Sequence, residues 1–117
     1  MHTVSPFELN PSKPLTQVVF VHDYVQLIFE TETLSIYGRM RFRGMQGDEF
    51  KQGQAGFADA LVGLIGAKAS SVSTSQAECL AIQFQEKGRL VVTHDSTDPE
   101  AFQFNTETGL IVVQQNI

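Results

Sequence analysis

The chain has 117 residues, 42% hydrophobic and 18% charged, and its 13 Asp and Glu against 8 Lys and Arg give a formal net charge of −5. That balance excludes a disordered polyelectrolyte, and a chain of this length buries roughly two thirds of its unfolded surface without staples. The acidic surplus argues against a nucleic-acid partner, which needs cations in excess at its phosphates.

Residues 1–14 hold Pro6, Pro11 and Pro14, a density that predicts an extended arm with no helix. Residues 15–44 then read as a first β-meander. A β-branched run ends at Val21. Val25, Leu27 and Phe29 alternate after the polar pair His22 and Asp23, and Leu34 and Ile36 alternate after Thr31 and Glu32. Period-two runs separated by two-residue polar breaks are the pattern of antiparallel hairpins. Arg39, Arg41 and Arg43 continue the alternation against Met40 and Phe42.

Residues 45–66 are a glycine-rich loop followed by one short helix near 55–65. Phe57, Leu61, Leu64 and Ile65 fall on one helical face, and Gly66 stands where a left-handed cap would close it. Residues 69–117 form a second meander, with Leu80, Ile82 and Phe84 inward, a turn at Gly88, a strand through Leu90, a turn over 95–99, and a closing hairpin around Gly109. The expected fold is α+β and mostly antiparallel: about seven to nine short strands in an open barrel or curved sheet, one helix covering one face, and residues 1–117 forming a single domain. There is a weak internal repeat: Val25 to Glu30, a turn, then Leu34 to Ile36 matches Leu80 to Gln85, a turn, then Leu90 to Val92. Two readings stay open: two meanders that merely look alike, or a pseudo-twofold domain whose helix connects the halves.

Several residues carry chemistry. Arg39, Arg41 and Arg43 share one strand face and form either an anion clamp or the charged guard of an edge strand. Glu30 and Glu32 flank one hairpin turn, and Asp95, Asp98 and Glu100 gather near another. These carboxylates are candidate contacts for a basic partner, with fast electrostatic association. His22 and His94 each precede an aspartate at a strand end. Their spacing matches no metal motif, and the surrounding residues are those a turn needs, so neither a metal nor another cofactor is expected. Cys79 has no nucleophile signature around it and reads as an inert packed thiol. No catalytic constellation is recognised, so a non-enzymatic protein is expected. The single cysteine fits a reducing compartment. No stretch approaches the roughly 20 apolar residues of a membrane span, and the first residues lack a signal-peptide pattern. The expected location is therefore cytoplasmic, away from membranes.

Residues 64–104 carry a wider pattern: Leu64-Ile65-Gly66, the alternation of Leu80, Ile82 and Phe84, a turn at Gly88, Leu90 to Val92, then Glu100 to Phe104. This resembles a group of small β-rich bacterial proteins without assigned activity. In that group a helix ending in Leu-Leu-Gly precedes an alternating Leu and Phe strand. Pro99 stands where the group has an aromatic, and no catalytic residue carries over. Some small proteins of this look sit beside toxin genes as immunity factors. The resemblance implies an immunity-type protein that binds and blocks a basic toxin domain. The alternatives are a small-ligand, anion-binding or enzymatic domain with a pocket near the arginine stripe, and a structural homo-oligomer, a homodimer being its simplest form, paired through strand edges.

Overall fold

Alternation sets the strands. The computed structural model describes residues 13–22, 24–73, 80–93, 100–105 and 110–114, with backbone alone at 100, 101 and 110–114. Val25, Leu27 and Phe29 of β2 (Tyr24–Phe29) are buried while Tyr24, Gln26 and Ile28 are half-buried. Met40 and Phe42 of β4 (Met40–Gly44) are buried between exposed arginines. Ten strands and one helix, α1 (Phe57–Val62), are present among the described residues. The fold is α+β and mostly antiparallel, and the described strands form no closed barrel.

The first sheet orders β1 (Gln17–Val21), β2, β3 (Glu32–Ile36), β9 (Glu100–Asn105) and β10 (Leu110–Gln114). The second orders β5 (Glu49–Lys51), β4, β8 (Gly88–Val92), β7 (Leu80–Phe84) and β6 (Ala69–Ser73). Written from β6, the second sheet repeats the first term by term. Each half of the chain contributes a three-strand meander, β1 to β3 or β6 to β8. Each half then sends its next hairpin, β4–β5 or β9–β10, to the sheet of the other half. The strand through Arg41 therefore does not continue the first meander. It crosses over and pairs with β8, Phe42 opposite Leu90. The meander of the second half likewise loses β9 and β10 to the first sheet, where Phe104 lies opposite Leu34.

The inward rows of both sheets meet in one core. Leu27, Leu34, Ile36, Phe102 and Phe104 face Leu80, Ile82, Leu90 and Val92 in a single buried cluster. Phe29 and Phe84, which occupy matching places in the two halves, stack across the sheets with ring centroids 6.2 Å apart and planes 11° apart.

Helix α1 closes one open side of this sandwich, lying against β1, β4 and β5. Phe57, Leu61 and Leu64 are buried, as their spacing predicts, but Ile65 is 46% exposed. The cause is a change of pitch. After Val62 the bonds run from Leu64 N–H to Leu61 O (3.0 Å) and from Ile65 N–H to Val62 O (3.1 Å). That tighter winding gives three residues per turn, so Leu64 stays in line with Leu61 while Ile65 rotates outward. Gly66 ends the turn at φ +97°. Its N–H donates to Leu15 O and Leu15 N–H donates to Ala67 O, which ties the segment before β1 to the helix exit. The glycine-rich loop expected over 45–56 contains β5, too short for its alternation to show between Gly47 and Gly53.

Candidate functional site

The outward residues of β4 decide where charge collects. Arg41 and Arg43 point away from the core on the face opposite Met40 and Phe42, and Arg39, just before the strand, is also exposed. The sequence allowed this stripe to be the guard of an edge strand. β4 lies inside its sheet, between β5 and β8, so it has no free edge to protect. Register brings two further cations beside it. Lys51 of β5 lies opposite Arg41, and Arg89 of β8 lies opposite Arg43. Five of the chain's eight Lys and Arg thus belong to this one sheet region.

The geometry is that of a shallow basic dish. Arg41, Arg43, Arg89, Glu49 and Val91 line a depression of about 190 Å³. Val91 is 5% exposed and supplies an apolar floor. Among the described residues Glu49 is the only carboxylate in this lining, and its Oε2 lies 3.6 Å from Arg43 Nη2, beyond hydrogen-bond length and worth little at the surface. Arg43 and Arg89 are directly opposed across neighbouring strands. Cross-strand side chains start about 5 Å apart, and like charges so placed repel. Planar guanidinium forks at these positions suit carboxylate or phosphate oxygens.

The equivalent face of the first sheet shows what the fold requires there. Gln103 and Asn105 of β9 stand where β4 has Arg41 and Arg43, and Thr33 of β3 stands where β8 has Arg89. Ser35, buried there, accepts a hydrogen bond from Gln26 Nε2 at 3.3 Å. Neutral side chains serve one sheet and guanidinium groups the other, so the charge is an addition to the architecture.

The other sequence candidates are placed as follows. Glu30 sits at the β2–β3 tip with φ +58°, and Glu86 repeats that conformation at the β7–β8 tip. Glu32 is half-buried across from Phe29, and its Oε1 is enclosed with no hydrogen-bond partner among the described residues. The side chain of Glu100 and all of Asp95, Asp98, His94 and Cys79 lie outside the described residues, as does the arm over 1–12. His22 is exposed in the β1–β2 turn. Among the described residues no three His, Cys, Asp or Glu side chains gather in a way that would hold a metal.

Arg89 and Lys51 were not legible as site residues from the stripe alone. The signal that would have found Arg89 is the internal repeat, which aligns the strand after Gly88 with β3, combined with the hairpin exchange that sets β4 beside it. No family model, no curated protein and no solved structure matches this chain, so the resemblance over residues 64–104 rests on those residues alone.

Proposed function

We propose that the protein is a non-enzymatic protein-binding module that takes an acidic segment of a partner on the outer face of its second sheet. The observation that supports this reading is the directly opposed pair Arg43 and Arg89 beside Arg41 and Lys51, on a face whose counterpart in the first sheet is neutral. The patch covers three strands, about 10 Å across at ordinary strand spacing, which suits a few carboxylates and is too small to track a nucleic-acid backbone. The rest of the chain carries the net negative charge, which repels a polyanion but leaves a short acidic peptide free to dock. An immunity-type role against a basic toxin domain draws on the carboxylates instead, and of those only Glu30 and Glu32 have described side chains.

The test is titration of the isotope-labelled protein with a hexaglutamate peptide, followed by amide chemical shifts. The expected result is shifts at Arg41, Arg43, Arg89 and Val91 that shrink as salt rises. A hexalysine peptide and a short single-stranded oligonucleotide are run alongside. Shifts elsewhere, stronger binding of either alternative probe, or no binding of hexaglutamate refutes the proposal.

A further inference from the structure

We infer that the acidic segment taken by the second sheet carries a large apolar side chain two residues from a carboxylate, and that Met45 receives that side chain. The inference rests on the basic face proposed above as the docking surface and adds the pattern of the partner that fits it.

Local sequence sets the position of Met45. Arg41, Arg43 and Met45 alternate, so the outward row of β4 continues into the β4–β5 turn. Two glycines meet where that turn begins, Gly44 of β4 opposite Gly88 of β8. A Cβ at Gly88 would run into Arg43 O and stand 3.0 Å from Gly44 Cα. With no side chain there, Met45 reaches across the end of β8 to β7, the next strand, where its Sδ lies 3.9 Å from Gln83 Nε2. Gln83 is itself held, since its Nε2 donates to Gly88 O at 3.1 Å and to Phe84 O at 3.3 Å. Met45 thus has a defined seat on the outer face, yet it is 63% exposed. The other exposed large apolar residues described, Phe20, Val21, Val62 and Ile65, belong to β1 and the helical segment. Met45 is the one that stands beside the basic face.

Register then gives the spacing. Glu49, Arg43, Arg89 and Gln83 form one row across β5, β4, β8 and β7. The depression lies between Arg43 and Arg89, and from their midpoint to Gln83 is one and a half strand spacings, roughly 7 Å. Alternate side chains of an extended segment are also roughly 7 Å apart. A carboxylate seated in the depression therefore sets the side chain two residues away over Met45. Glu49, at the far end of the row, repels acidic groups there and leaves the β7 side for the continuing segment. The flexible, polarisable thioether accepts either an aliphatic or an aromatic group. An anionic membrane would also meet cations beside an apolar residue, but the net charge of −5 repels such a surface.

The test compares two octapeptides in the amide-shift titration, each with four central glutamates. In one the glutamates are flanked on both sides by serine and then leucine, which allows either chain direction. In the other every leucine is serine. The leucine peptide is expected to bind about tenfold more tightly, the worth of roughly 55 Å² of apolar surface removed from water. It alone is expected to shift the Met45 methyl resonance. Met45→Ser is expected to bring the leucine peptide down to the affinity of the serine peptide, and Met45→Leu to keep the preference. Equal affinities with shifts at Arg43, or a leucine preference that survives Met45→Ser, overturn this inference and leave the acidic-segment reading standing. Failure of both octapeptides and of hexaglutamate to bind overturns both. Tighter binding to vesicles of phosphatidylcholine and phosphatidylserine than to the leucine peptide overturns the choice of a protein segment.

Discussion

Replacing Arg41 by Gln and Arg43 by Asn gives β4 the outward residues that β9 carries at the matching places, Gln103 and Asn105. The double substitution lowers the formal net charge from −5 by two. It removes the Arg43–Glu49 contact at 3.6 Å, in which the arginine side chain is 67% exposed. Such a surface pair contributes about 0.2–1 kcal/mol. It also removes the repulsion between Arg43 and Arg89, of similar size and opposite sign. The two nearly cancel, so the urea midpoint is expected to stay within about 0.5 kcal/mol of wild type. Binding behaves differently. Each exposed guanidinium within 4 Å of a carboxylate contributes about 1 kcal/mol at water-like dielectric. Loss of two is therefore expected to weaken hexaglutamate binding roughly 25-fold by calorimetry. Destabilisation above about 1.5 kcal/mol would assign the stripe to holding the fold. Unchanged affinity would remove it from the binding face.

Two further perturbations probe the frame that presents this face. Gly88 opens β8 at φ +145°, and a Cβ there would collide with the Arg43 backbone oxygen and stand 2.7 Å from Phe42 Cζ. Gly88→Ala is expected to cost about 3 kcal/mol from backbone strain and overpacking together, and an unchanged urea midpoint would refute the close approach of β4 to β8. Phe29→Leu and Phe84→Leu are expected to couple by about 0.5–1.5 kcal/mol in a double-mutant cycle, and additive effects would refute ring stacking across the sheets.

Local period-two patterning located β2, β3, β7 and β8 through their inward rows, although only β2 alternates in burial: Ser35, Ala81 and Val91 on the opposite faces are buried as well. The helix was legible through Phe57, Leu61 and Leu64. What periodicity does not encode is which strand lies beside which. Arg41 and Val91 become neighbours through a pairing between distant segments, and nothing in either segment announces the other. The same holds for Arg89, read in sequence as one more residue of a strand and found in the structure facing Arg43. Ile65 shows the reverse failure. Its spacing is right for an α-helix, but the chain winds more tightly beyond Val62 and leaves the helix at Gly66, whose φ is positive.

The exchange of hairpins also governs how the chain must assemble. Leu34 pairs with Phe104, seventy positions later, and Phe42 with Leu90, forty-eight later. The first sheet does not reach its full width until β10 has been synthesised and the second not until Val92, so β3 keeps its edge bare until the second half delivers the β9–β10 hairpin. Loop closures of that span are slow, so the nascent chain is most prone to wrong association while β3 waits for β9. A lasting cut in the 45–66 connection would leave two interlocked pieces, held by the same exchanged strands that make neither piece complete alone.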